Sequence, residues 1–249
     1  MATKKKVPRR ILVLDVGGSH VKLRVGDHGK EQKIVSGPDM SAADMVKGVG
    51  ELVGPKDYDV VSIGYPGLVF RGRIAAEPWN LGHGWVGFDF EAALGRPVRV
   101  VNDATLQAIG SYAGGRMLFL GLGTGLGATL ILDGTVEPME IGHLPYKSRT
   151  FEQYVGEHAL ERLGKKKWRK VVAEVVEHLR KAFEVEYVVL GGGNVRLLKE
   201  LPSCARLGDN SNAMIGGRII WKMANPLLVS PNDRPRQATR NPRPAARKK

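Results

Sequence analysis

Residues 117–132 read Met-Leu-Phe-Leu-Gly-Leu-Gly-Thr-Gly-Leu-Gly-Ala-Thr-Leu-Ile-Leu. An apolar run meets a turn at Gly123-Thr124-Gly125, and a second apolar run follows. Gly123 to Ala128 formally fits a dinucleotide-binding fingerprint, but that motif must open a helix that faces a pyrophosphate. Here Thr129 to Leu132 leads into Asp133-Gly134, which reads as strand and turn. The stretch is therefore a glycine hairpin between two strands. The same unit stands about one domain earlier. Ile11 to Leu14 is apolar and ends in Asp15, Gly17-Gly18 turns the chain, and Val21, Leu23 and Val25 alternate with Lys22, Arg24 and Gly26. A third cluster, Gly191-Gly192-Gly193, follows the buried-strand pattern of Tyr187 to Leu190. No G-x-x-x-x-G-K-S/T segment occurs, which excludes the P-loop class.

Outward from these loops, strands and helices alternate, the pattern of an α/β layer fold. Ser41 caps a helix expected to reach about Val53, and Val60 to Ile63 is a strand leading into the Gly64-Tyr65-Pro66-Gly67 loop. A short helix over Phe88 to Leu94 precedes a strand at Val98 to Val101 and a helix at Ala104 to Tyr112. From Trp168 to Phe183 apolar residues fall at helical spacing, and Asn212 to about Lys222 forms a final helix. The expected division is a basic tail over 1–10, one α/β lobe over 11–113, a second over 114–222 and another basic tail over 223–249. The last helix is expected to pack back on the first lobe.

The 249 residues are 43% apolar and 25% charged, which rules out disorder of the whole. No apolar run approaches the roughly 18–20 residues of a membrane helix, and the opening segment has no signal-peptide core, so the expected compartment is the cytoplasm. A single cysteine, Cys204, excludes an internal disulfide and a cysteine-built zinc site, and suggests an inert thiol. The net charge of +13 resembles that of a nucleic-acid binder until it is located. Five basic residues in 1–10 and a net seven charges in 222–249 leave the body nearly neutral. Such tails attract polyanions without specificity, so no specific nucleic acid is expected.

Glycines between strands let backbone N–H groups approach an anion, and a carboxylate at the preceding strand end can hold a hydrated cation beside phosphate. Asp15, Gly17, Gly18, Ser19 and Lys22 suit that role, although in isolation the pattern is weak and an ordinary glycine hairpin with a solvated Asp is the better reading. Three such loops at strand ends are harder to explain as unrelated turns.

The order of a D-x-G-G-x-x-x-K hairpin, V-N-D-A at 101–104, L-G-T-G-x-G at 122–127, E-x-G-H at 140–143 and L-G-G-G at 190–193 resembles the ROK family of sugar kinases. The resemblance spans residues 11 to about 221. It implies a two-lobed actin-like ATPase (ribonuclease H-like) fold with a central cleft. Within the family the chain is similar to polyphosphate glucokinases, because Glu140-Ile141-Gly142-His143 runs into Leu144-Pro145-Tyr146-Lys147 without the cysteine-rich zinc motif of many members. Ten residues ahead of the first strand are too few for a helix-turn-helix, which separates it from ROK repressors.

Carried over residue by residue, the resemblance makes Asp103 the general base for the 6-hydroxyl of glucose. The plain reading is that Asp103 caps the helix starting at Ala104. Sugar contacts are implied for Asn80, Asn102, Asp103, Glu140, His143 and Glu152. Donor phosphates are implied at the first hairpin, at Gly123, Thr124 and Gly125, and at Gly191, Gly192 and Gly193, with Mg²⁺ near Asp15 through water. The implied partners are glucose, polyphosphate and/or ATP, and a second copy in a homodimer. The alternatives are an ATP-dependent kinase for another hexose and a noncatalytic sugar or polyanion binder. Lys147, Arg149, Lys165, Lys166, Lys167, Arg169 and Lys170 suggest a polyphosphate track, against the plainer reading of a solvated face. Trp79 and Trp85 flank the sugar segment, as stacking platforms or as core.

Overall fold

The structure, a computed structural model, describes residues 10–209 and 211–222. The two basic tails expected from the sequence lie almost wholly outside the described residues. In the first half, β1 (Ile11–Val16), β2 (His20–Val25) and β3 (Gln32–Val35) precede α1 (Ala42–Leu52) and β4 (Val60–Tyr65). A small hairpin of β5 (Val69–Phe70) and β6 (Arg73–Ile74) follows, then α2 (Phe90–Leu94), β7 (Val98–Asn102) and α3 (Asp103–Ser111). In the second half come β8 (Arg116–Leu122), β9 (Leu126–Leu132), β10 (Thr135–Met139) and a hairpin of β11 (Pro145–Tyr146) and β12 (Arg149–Thr150). The chain continues through α4 (Glu152–Val155), α5 (Glu157–Ala182), β13 (Tyr187–Gly191), β14 (Ala205–Leu207) and α6 (Asn212–Ile219).

One sheet runs β3-β2-β1-β4-β7 and the other β10-β9-β8-β13-β14. In both, the first two pairings are antiparallel and the last two parallel, so the two glycine hairpins occupy equivalent places. The parallel strands of the first sheet bring Asp15 opposite Gly64 and Tyr65 opposite Asn102. Those of the second bring Gly121 opposite Gly191. All three glycine clusters thus lie at carboxyl ends of parallel strands, the usual location of ligand sites in α/β sheets.

Local chemistry explains the boundaries. Ser41 and Asp44 form a reciprocal capping box at α1, as the serine predicted. Asp89 caps α2, so that helix starts two residues later than the sequence suggested. The helix expected from Trp168 begins instead at Glu157. Its two stretches meet at Gly164, whose φ of 70° no helix interior adopts.

Three apolar clusters hold the molecule. One lies under α1 and α2 on the first sheet, and one lies between α5 and the second sheet. The third joins the halves, with Val13, Val60 and Val101 meeting Leu106, Ile109, Phe119, Val189, Met214 and Ile220. Helices α3 and α6 occupy this middle layer, and α6 packs on β1 and β4. They touch backbone to backbone: a Cβ on Gly216 would lie 1.9 Å from Leu106 O, and one on Gly110 1.9 Å from Asn212 O. Past α6, Trp221 Nε1 donates to Ser62 Oγ at 2.8 Å, Ser62 Oγ donates to Gly217 O at 2.5 Å, and Arg99 stacks over the Trp221 ring at 4.4 Å. Gly216→Ala should therefore cost at least about 1–3 kcal/mol in urea denaturation, the usual penalty of overpacking. Gly50→Ala, at an exposed and open position of α1, should gain roughly 0.5–1 kcal/mol.

Candidate active site

The V-N-D-A segment straddles the end of β7 and the start of α3. Asn102 is the cap: its Oδ1 accepts from the amides of Ala104 at 2.9 Å and Thr105 at 3.3 Å. Its Nδ2 donates to Gly67 O at 3.1 Å, tying the helix start to the loop after β4. The capping role considered for Asp103 thus falls to its neighbour. Asp103 Oδ1 accepts from Ala104 N at 2.7 Å, and its other oxygen makes no hydrogen bond among the described residues. Protein crowds this half-buried carboxyl, and the Asp15 carboxylate faces it. Burial first, then Asp15 and more weakly Glu140, push its pKa up to about 7 against the pull of nearby amides.

Asp15, near the end of β1, is opposite Lys22 in the β1–β2 register, with 3.9 Å between charged atoms. Burial raises its carboxyl, with Lys22 opposing the rise. The turn beyond it is built by Gly17 N donating to His20 O and Ser36 Oγ donating to Gly17 O. The amides of Gly18 and Ser19 have no acceptor among the described residues, nor do those of Thr124 and Gly125 in the second hairpin. Successive free N–H groups in a turn can bind anions. The third cluster braces the second: Asn194 Nδ2 donates to Gly123 O at 3.1 Å, and a Cβ on Gly192 would strike Leu122 O. Asn194 carried no recognisable signal in the sequence beyond its place after three glycines.

Four of the expected sugar residues come from two directions. Asn80 packs against the first hairpin, its Cβ 3.1 Å from where a Cβ of Gly18 would lie. Glu140, His143 and Glu152 instead belong to the second half, so sugar contacts would not be confined to the first lobe. Glu152 Oε2 accepts from Leu126 N at 3.3 Å and lies over Gly125, beside the second hairpin. Burial raises the Glu140 carboxyl, His143 opposes that rise and Glu152 adds to it, and Glu152 Cβ lies 3.5 Å from where a Cβ of Gly142, between Glu140 and His143, would sit. Asn102, by contrast, has both amide ends engaged by backbone.

Other expectations are redistributed. Trp85 is core, packed at a tilt against Tyr65 and Phe90, whereas Trp79 is 98% exposed. Lys147 is paired with Glu174 at 2.5 Å and Arg169 Nε donates to Leu197 O at 2.5 Å, so both already have partners within the chain. Lys165, Lys166, Lys167 and Lys170 are exposed. Cys204 is half-buried against Glu177, and burial raises its thiol, in keeping with an inert role.

Among the described residues no group of three or more His, Cys, Asp or Glu side chains is arranged to hold a metal ion alone. The Asp15 carboxylate beside free amides does suit a hydrated Mg²⁺, which keeps several waters and shares its ligands between one or two carboxylates and phosphate.

The ROK family profile matches residues 11–161. The chain belongs to the ROK family. A polyphosphate glucokinase of Mycobacterium tuberculosis is 26% identical over 202 residues, covering 72% of this chain and 76% of the relative. The inorganic polyphosphate/ATP-glucomannokinase of Arthrobacter sp. strain KM superposes with a TM-score of 0.71 at 22% identity, covering 86% of this chain and 98% of that one. A Streptomyces griseus ROK glucokinase solved with glucose and AMPPNP gives 0.64 at 17%, covering 85% and 98%. These likenesses and the paired sheets establish the two-lobed actin-like ATPase fold of this ROK protein.

The raised Asp103 carboxyl links the ROK site to stability. The folded state favours its neutral form, so its contribution is fully present below the unfolded pKa of about 3.9 and is lost as pH rises through about 7. Asp103→Asn removes the buried charge. Its Tm should match the wild type near pH 4 and exceed it at pH 8 by about 2–8 °C, corresponding to roughly 1–2 kcal/mol after screening, as read by calorimetry.

Proposed function

We propose that the chain is a sugar kinase that transfers a phosphoryl group from polyphosphate and/or ATP to the 6-hydroxyl of glucose. One observation carries this reading: a carboxyl poised near neutral pH, freed from helix capping by Asn102, stands between two loops whose amides lack acceptors. A base of this kind is matched to an alcohol proton at physiological pH, because it is substantially ionised there yet basic enough to accept.

In this mechanism Asp103 accepts the hydroxyl proton on the oxygen that makes no hydrogen bond, while Ala104 N fixes the other oxygen. Asn80, Glu140, His143 and Glu152 hold the remaining hydroxyls and orient the attacking oxygen. The amides of Gly18, Ser19, Thr124 and Gly125 cradle the donor phosphates. Asp15 would hold Mg²⁺ through water, and the ion when bound neutralises charge on the phosphates.

Polyphosphate use is supported by the name of the mycobacterial relative and by the placement of charge. Helix α5 starts at the second hairpin, where Glu157 N donates to Thr124 O at 3.2 Å. The exposed Lys165, Lys166 and Lys167 follow on the same element, just past the kink at Gly164. A chain with a charge at every phosphate can reach beyond the hairpin to such a cluster.

Asp103→Asn should lower kcat about 10²- to 10⁴-fold, and wild-type kcat/KM should fall tenfold per pH unit below a midpoint near 7. A rate that is flat between pH 5 and 8 would remove Asp103 as the base. With glucose and Mg²⁺, the KM for polyphosphate should climb more steeply with NaCl than that for ATP. Glucose 6-phosphate formed only from ATP would leave an ordinary ATP-dependent hexokinase.

A further inference from the structure

Only two buried hydroxyls face each other across the joint between the halves among the described residues. Thr105, two residues after Asp103 on the first turn of α3, is 2% exposed, and Thr129, on β9 three residues past the second hairpin, is 0% exposed. Their Oγ1 atoms are 3.0 Å apart. Beside them Ala104 presses on Gly127, where a Cβ would come within 2.8 Å of the Ala104 methyl. Among the described residues no other side-chain hydrogen bond connects α3 to the hairpin that would hold the donor.

We infer that the Thr105–Thr129 pair is a positioning device that sets the separation between Asp103 and the Leu122–Leu126 hairpin; the inference rests on the kinase reading above. Neither threonine touches substrate. Their bond holds two backbones closer than apolar side chains allow, since carbon atoms meet at about 3.5–4.0 Å. Replacing both hydroxyls with methyls must move the first turn of α3 away from β9 by about 0.5–1 Å. A displacement of that size is enough to spoil in-line transfer.

Two double variants of the full chain separate positioning from mere stability. Thr105→Val with Thr129→Val leaves no unpaired hydroxyl, so Tm should stay within about 2 °C of wild type. Its kcat should fall about 10- to 100-fold with the sugar KM changed less than about twofold. Thr105→Ser with Thr129→Ser keeps the bond but loses two buried methyls, so Tm should drop by several degrees while kcat stays within about threefold. Turnover that follows Tm across the series overturns the proposal, as does a valine pair that keeps more than about a third of kcat. If the valine pair does not fold, the serine pair decides alone by the same criterion. Amide hydrogen exchange of residues 103–106 and 122–129, measured without substrate, should quicken in the valine pair and not in the serine pair. Unchanged exchange sinks the coupling whatever the activity, whereas a wild type inactive on every sugar sinks the kinase reading alone.

Discussion

A carboxyl crowded by protein and facing a second carboxylate is unstable unless the surrounding scaffold is rigid, and Asp103 imposes that demand here. The scaffold answers with short, local connections. Asn102 takes over the helix cap and binds the loop after β4. A Cβ on Gly64 would lie 3.4 Å from the Asp103 Cα, so strand and helix start are nearly in backbone contact. On the opposite side Thr129 and Gly127 receive the same helical turn. The first turn of α3 is thereby clamped by both sheets, which holds Asp103 in the crowded place where burial and Asp15 raise its proton affinity.

Duplication of one sheet pattern provides the clamp's symmetry, while the chemistry is distributed unevenly over it. The first hairpin is joined to a carboxylate, Asp15, and a lysine, Lys22. The equivalent place in the second is surrounded by Glu152, Asn194 and the start of α5. In the proposed reaction the first hairpin would serve a cation and phosphate together, and the second phosphate with the proposed sugar contacts close by. Family membership and fold agree with this two-lobed plan.

Much of the fold was legible because its decisive strands are continuous apolar runs broken by glycine. Ile11 to Val25 and Met117 to Leu132 announce themselves by pattern, and their failure to open a helix excluded dinucleotide chemistry. Short two-residue strands such as those of the 69–74 and 145–150 hairpins carry too little periodicity to be read. The first part of α5 was hidden because Gly164 interrupts the stripe and Lys165 to Lys167 dilute it. In the candidate site, motif order pointed to Asp103, Asp15 and Glu152, but a sequence cannot say which of Asn102 and Asp103 caps the helix. That choice depends on a backbone turn that brings Oδ1 of Asn102 over two amides. For the same reason the partners of Lys147 and Arg169, Glu174 and the Leu197 carbonyl, cannot be read from sequence.

The pairing of the earliest strand with the last described helix has a consequence for synthesis. Val13 of β1 packs on Gly217 of α6, and Met214 and Ile220 complete the layer over Ile11, Val60 and Val101. A ribosome adds about 5–20 residues per second, so roughly 10–40 s separate the two elements as the chain emerges. Until α6 has been made, Ile11, Val13, Val60 and Val101 lack the part of their packing that Met214 and Ile220 supply. Completion of that layer therefore waits on nearly the whole length of the folded body being synthesised.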